Sequence, residues 1–292
     1  MSVAEVIGRH EKSGRYFTAD GIQSFVLDQG SGEPVVLLHG VPASSFLYRK
    51  VVPALAKRGL RGIAFDFPGL GLADRPEGYD YTWTGLGRFS AAAVDALGLD
   101  RFHLVVHDIG GPVGFELAAA MPDRIASLTI LDTPIHVSTF KRPWVMEPFA
   151  SKWLGPIWLA FTRRGMYLPL MWNQGVPRSS GIPHDELNAY PTLLKRGDGG
   201  KAFLAMMRGF ELTAEKESLY LAALKDAPFP IQIVWGRDDP ALKAKTHGAA
   251  ARRAVPEAAY FEVPGKHFYQ EDQFEAIAEK VANLAAGNTA NN

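Results

Sequence analysis

The chain has 292 residues, 47% hydrophobic and 21% charged, a composition that suits a large folded core with room for an insert. Its 31 Lys+Arg balance 31 Asp+Glu, so the overall charge gives no sign of a nucleic-acid-binding protein or a polybasic membrane surface. Cysteine is absent, which excludes disulfides and thiolate metal sites and fits a cytoplasmic protein.

The first residues, "MSVAEVIGRHEKSGRY", hold no apolar stretch of signal-peptide length. "RYFTAD" and "IQSFVLDQGSG" predict an antiparallel hairpin at a sheet edge. Short apolar runs then alternate with helix-like stretches. "PVVLLHG" (34–40), "RGIAFDFPG" (61–69), "LVVHD" (104–108) and "SLTILDTP" (127–134) each read as a buried strand ending in a turn. "WTGLGRFSAAAVDALGL" supplies a crossover helix between the second and third of these. After residue 230 the rhythm resumes with the strands "IQIVWGRDD" and "AAYFEVPG" and the helix "QFEAIAEKVANLAA". The tail "GNTANN" is polar and reads as frayed.

Between Pro134 and Pro230 no convincing strand occurs. The segment holds Trp144, Trp153, Trp158 and Trp172 of the six tryptophans, and Met146, Met166, Met171, Met206 and Met207 of the seven methionines. It predicts a helical subdomain with its own small core, which can also serve as a lid lining an apolar pocket with adaptable side chains. Its most apolar run, "WLGPIWLAF", is too short to span a bilayer. The expected organisation is an α/β core domain over 1–133 and 231–292, with a helical cap over 134–230.

Ligands of an open parallel sheet bind beyond the carboxyl ends of its strands. The polar residues expected there are His39, Asp66, Asp108, Asp132, Asp238, Asp239 and His267. Asp108 stands out, because "HLVVHDIGGPVGFELAAAMP" passes from strand to helix through a turn with a carboxylate at its apex. That is the geometry of a nucleophile elbow: a reactive side chain exposed above the sheet, with backbone N–H groups and a helix N-terminus beside it. Gly110 and Gly111 let the helix pack against the strand. A strand-end Asp is otherwise commonly a helix N-cap. An Asp is ionised at neutral pH, its unperturbed pKa being about 3.9, so it needs no base to become a nucleophile. A carboxylate suits attack on a saturated carbon that bears a leaving group.

The set "LLHGVPAS", "FDFPGLGLADRP", "VVHDIGG", "VWGRDDP" and "PGKHFYQED", in this order and at these distances, resembles the α/β-hydrolase fold from Gly32 to about Ala285. An Asp at the elbow is similar to the branch that contains haloalkane dehalogenases and epoxide hydrolases. Val106, two residues before the nucleophile where the motif normally has Gly, departs from it. The resemblance implies an alkyl ester on Asp108, hydrolysed by water that His267 activates, with Asp239 orienting the imidazole. Asp132, 24 residues past the elbow (132 − 108), is the alternative acid, because some family members carry it there. The N–H groups of Val41, in "HGVP", and of Ile109 are the expected oxyanion donors. His39 and His107 are expected to hydrogen-bond in the turns, His103 to be structural, and Asp66 to cap a helix or tie the "FPGLG" loop.

The leaving group separates the family's activities. Haloalkane dehalogenases usually place Trp after the nucleophile and Trp or Asn near the HGxP turn, whereas this chain has Ile109 and Val41. A cap tryptophan is then the remaining source of an indole donor. Fluoroacetate dehalogenases carry arginines after the nucleophile, which "DIGGP" lacks. Epoxide hydrolases usually protonate the opening ring from two cap tyrosines. The candidates here are Tyr190 first, then Tyr167 and Tyr220, with His184 as a substitute, and Met207 stands where the second tyrosine lies in the family. The resulting expectation is an epoxide hydrolase acting on a small lipophilic substrate. The alternatives are a haloalkane dehalogenase with an atypical halide site and a non-catalytic binder of an apolar ligand. No cofactor or metal is implied, because the strand-end His and Asp residues lie far apart and in triad order. Oligomeric state is not legible.

Overall fold

The computed structural model describes residues 1–162 and 164–287, without the side chains of 164–166. The polar tail expected to fray therefore lies almost wholly outside the described residues, as does Arg163.

Eight strands form one sheet: β1 (Arg15–Ala19), β2 (Ile22–Gln29), β3 (Pro34–Leu38), β4 (Arg61–Phe65), β5 (Phe102–Val106), β6 (Ile125–Leu131), β7 (Ile231–Gly236) and β8 (Ala259–Val263). Their spatial order is β1-β2-β4-β3-β5-β6-β7-β8. β1 and β2 form the antiparallel edge hairpin, and β3 to β8 run parallel. In β3, Val36 and Leu38 enter one apolar core while Val35 and Leu37 enter the other. Side chains alternate across a strand, so a continuous apolar run demands cover on both faces.

The cover comes from α1 (Val3–Lys12), α2 (Val51–Ala56), α3 (Trp83–Ala96), α4 (Gly110–Ala120), the cap helices α5 (Glu147–Ala150), α6 (Leu154–Phe161), α7 (Arg164–Leu170), α8 (His184–Leu194) and α9 (Lys201–Arg208), then α10 (Ala214–Lys225), α11 (Ala249–Ala254) and α12 (Phe274–Ala285). Sequence reading left α1 unassigned. It opens on a capping box, in which the Ser2 hydroxyl accepts from the Glu5 N–H and the Glu5 carboxylate accepts from the Ser2 N–H. The segment 134–230 contains no strand among its described residues. Its last helix nevertheless belongs to the sheet layer. α10 packs on α4, with Tyr220 against Phe115 and Lys216 paired to Glu116.

β4 lies on one side of β3 and β5 on the other, so the chain reverses its winding direction at β3. A crevice opens at such a switch point, beyond the strand ends. The turns after β3 and β5, carrying His39 to Pro42 and Asp108, face each other there.

Candidate active site

Asp108 sits at φ +53°, one of two non-glycine residues with positive φ among the described residues. L-residues rarely adopt this conformation, and it persists only where surrounding bonds hold it. Here the Asp108 N–H donates to the Asp132 carbonyl at 2.8 Å and the Thr133 hydroxyl donates to the Asp108 carbonyl at 2.6 Å. The neighbouring glycines are required by space. A Cβ on Gly40 would lie 2.2 Å from the Asp108 Cβ, and one on Gly111 would lie 1.7 Å from Thr133 Oγ1. Both turns can thus approach as closely as the elbow needs.

The Val41 N–H donates to Asp108 Oδ1 at 2.7 Å. The Ile109 N–H, at the start of α4, helps to lower the pKa of the carboxylate. Asp108 Oδ2 faces His267 Nε2 at 3.6 Å, beyond hydrogen-bond length but within ion-pair range. On the other side of the imidazole, His267 Nδ1 meets Asp239 Oδ2 at 2.7 Å. Asp239 Oδ1 accepts from the N–H groups of Ala241 and Leu242, at 2.7 and 2.9 Å. The loop after β8 is clamped by the cap. The N–H groups of His267 and Phe268 donate to the carbonyls of Gln174 and Gly175.

Burial opposes charge on all three groups, but their mutual attraction outweighs it. Burial raises the pKa of Asp108 while His267 lowers it further, and the net shift is downward. Burial raises that of Asp239 and the charge of His267 drives it well below the carboxylate range. Burial lowers that of His267, whereas Asp239 and Asp108 hold it well above the usual imidazole value. The resting arrangement is an imidazolium between two carboxylates.

Asp132 does not bond His267. Its Oδ1 accepts from the Gly236 N–H at 2.8 Å, and its Oδ2 is buried with no hydrogen-bond partner. Oxygens of Asp132 and Asp239 and a nitrogen of His267 lie within 4.8 Å of one another. Burial, then the neighbouring Asp239 charge, raise the pKa of Asp132 well above normal, which favours its neutral form beside the ionised Asp239.

The remaining strand-end groups serve the turns. His39 Nδ1 bonds the Gly40 carbonyl and its Nε2 accepts from the Phe67 N–H, while burial keeps its pKa at about 4. His107 Nε2 bonds the His267 carbonyl, and burial lowers its pKa to about 3. His103 bonds Ser127 and Glu33. Asp66 accepts from the Ser45 and Leu72 N–H groups, and burial raises its pKa to about 6. Asp238 is exposed.

A cavity of about 780 Å³, counting its open mouth, lies above Asp108 and His267. Its wall is mostly apolar. From the core come Val41, Ile109 and Leu242; from the cap, Phe140, Val145, Met146, Met171, Met207 and Phe210. Of the four expected cap donors, Tyr167 alone lines it, and its hydroxyl is buried without a hydrogen-bond partner. The structure does not bring the other three to the cavity. The Tyr190 hydroxyl donates to Glu271, which Arg49 also holds, making a strut between α8 and the core. Tyr220 donates to Glu116 at 2.7 Å behind α4. His184 is exposed, with its ring against Trp172. Tyrosine is amphipathic, and sequence alone does not say which apolar body carries its hydroxyl to the chamber.

No tryptophan is among the described residues lining the cavity. Trp144 and Trp153 are exposed and Trp158 donates to the Val145 carbonyl. Sequence reading missed Arg142, which lines the cavity with its guanidinium over Phe210 and a bond to the Met207 carbonyl. The one signal was the pair of charges, Lys141 and Arg142, in the otherwise apolar run "FKRPWVM".

The sheet order, the sharp strand-to-helix turn at Asp108 and the helices inserted between β6 and β7 are those of an α/β hydrolase. Residues 33–274 match the family model for the alpha/beta hydrolase fold, and the chain belongs to that family of enzymes. It is 28% identical over 277 residues to haloalkane dehalogenase 2 of Mycobacterium tuberculosis, covering 91% of this chain and 93% of the relative. Its fold is similar to haloalkane dehalogenase DbeA from Bradyrhizobium elkani, with a TM-score of 0.78 and 21% identity over 94% of this chain and 98% of that one. It is similar also to an epoxide hydrolase from Vigna radiata, with a TM-score of 0.73 and 22% identity over 94% and 97%. The chain is thus an enzyme of the α/β-hydrolase fold family, similar in sequence to a haloalkane dehalogenase at modest identity and similar in fold to both groups.

Proposed function

We propose that the protein opens a small lipophilic epoxide to a diol through an ester on Asp108. The observation that carries this reading is the division of labour on the Asp108 carboxylate. Oδ1 is held by the Val41 N–H, while Oδ2 faces His267 at ion-pair distance. In the first step Oδ2 attacks a ring carbon, the C–O bond breaks, and the alkoxide takes a proton from a donor in the chamber wall. Tyr167 is the proposed donor, as a buried phenol with no other hydrogen-bond partner. In the second step water attacks Asp108 Cγ while His267 Nε2 takes its proton, Asp239 stabilises the imidazolium, and the Val41 and Ile109 N–H groups meet the oxyanion. Collapse releases the diol and restores the carboxylate.

The charge arrangement supplies the timing. Alkylation neutralises Asp108 and so removes one of the two anions that keep His267 protonated. Burial, which opposes the imidazolium, then lowers the His267 pKa when a base is needed. His267 gives up its proton at this stage, through solvent, to the Tyr167 phenolate, which restores the phenol.

Haloalkane dehalogenation is the second reading, supported by the relative matched over nine-tenths of the chain. Against it stands a chamber without a lining tryptophan among the described residues. Intact-protein mass spectrometry of His267→Gln separates the two, with terminal epoxides and short bromoalkanes as probes. The base-less variant stalls at the ester. A mass gain equal to the whole epoxide is expected. A gain of only the alkyl group from the bromide points to the dehalogenase, and no adduct with either panel points to a binder of an apolar ligand.

A further inference from the structure

We propose that the outer face of α6 is a docking surface for an anionic lipid bilayer. An ordinary surface helix turns its apolar stripe inward and polar residues outward. α6, "LGPIWLAF", carries no polar side chain at all. It rests on the cap through Gly155 and Leu159 and turns the rest to solvent. Leu154, Ile157, Trp158 and Phe161 are exposed, as are Trp153 just before the helix (86%) and Trp144 (76%), whose neighbour Val145 accepts a hydrogen bond from Trp158. Single exposed apolar residues are normal, but a contiguous set of six marks an interaction site.

Charge identifies the partner. Overall neutrality conceals a local excess: between residues 140 and 164 stand Lys141, Arg142, Lys152, Arg163 and Arg164, with Glu147 the lone acid. Glu147 already lies 3.7 Å from Arg142. Lys141 and Lys152 are exposed. Tryptophan and basic residues around a short apolar helix are the signature of an element lying in the bilayer interface, with rings at headgroup level and cations on anionic lipid. At about 12 Å for eight residues, α6 is far too short to span, and no helix of the described residues is long and apolar enough to cross a membrane. The patch also adjoins the chamber, since Val145 and Met146, next to Trp144, line it. A substrate dissolved in lipid would meet the cap on that side. This consequence rests on the function proposed above, whereas the docking does not.

The test is co-sedimentation of the full chain with phosphatidylcholine vesicles, with and without phosphatidylglycerol. The protein is expected to pellet with the anionic vesicles and largely remain in solution with the neutral ones. Trp153→Ser, Ile157→Ser and Phe161→Ser combined should abolish pelleting without altering the melting temperature. Lys141→Glu with Lys152→Glu should weaken it about tenfold or more. The proposal is overturned if the protein stays in solution with both vesicles, if the apolar variant still pellets, or if charge reversal has no effect. It is overturned in favour of a second copy of the chain if light scattering finds a dimer that the apolar variant breaks.

Discussion

The two walls of the chamber are built differently. On the core side, the carboxylates of the candidate site are fixed by hydrogen bonds that involve the backbone: the Asp108 turn is bonded to Asp132 and Thr133, the Asp108 side chain to the Val41 N–H, and the Asp239 side chain to the Ala241 and Leu242 N–H groups of its own turn. On the cap side the lining is mostly apolar and held by packing. Its polar exceptions are Tyr167, with an unpartnered hydroxyl, Gln174, and Arg142, stacked on Phe210. Backbone-bonded turns fix chemistry, because a nucleophile or base tolerates little displacement. Side-chain packing fixes selectivity and is free to vary without loss of fold.

If the core side carries the chemistry, Asp108→Ala should have the largest effect, lowering kcat by about 10⁴-fold or more, with no adduct by mass spectrometry. Loss of less than about tenfold would move the nucleophile elsewhere. Asp239→Asn should follow, at about 10³- to 10⁴-fold, because an amide cannot hold the His267 tautomer and imidazolium in the same way. Tyr167→Phe tests the cap side. A drop of about 10²-fold is expected with epoxides and almost none with bromoalkanes, since a departing halide needs no proton. Equal effects on both would make Tyr167 a packing residue.

The two walls also differ in how far they can be read from sequence. The strand ends announce themselves, because a polar residue that closes an apolar run just ahead of Gly or Pro marks the turn where the chain leaves the sheet. Asp108 and Asp239 were therefore legible as residues, and His267 from its place in the loop after the last strand, and the structure draws the three together. The choice between Asp239 and Asp132 rests on a loop path that no local pattern encodes. In the cap, tyrosine hydroxyls point where helix packing sends them. Tyr190 went to Glu271, within the run "PGKHFYQED" yet unassigned there, and it serves as a strut instead. Tyr190→Phe should consequently cost about 1–3 kcal/mol of stability by leaving a buried carboxylate oxygen with one donor fewer. Its kcat should stay nearly unchanged, as read by thermal melting alongside turnover.

The smallest effect separates the two carboxyls behind His267. Asp132 is fully buried, and burial together with Asp239 raises its pKa in the folded state. Unfolded, it ionises near the ordinary value of 3.8. From that pH upward the folded state binds one proton that the unfolded state has released, so stability falls as pH rises until the folded pKa is passed. Asn at this position does not titrate. It keeps an oxygen for the Gly236 N–H and places an uncharged donor near Asp239. Asp132→Asn should therefore gain on the parent as pH rises from about 5 to about 8, by at most roughly 1.4 kcal/mol per pH unit, or a few degrees in Tm. Turnover should remain within about threefold of the parent, unlike Asp239→Asn. A constant Tm difference across this range would mean that Asp132 is ionised in the folded protein. Asp239 would then no longer be the only carboxylate behind the imidazole, and the orienting role would be shared by both.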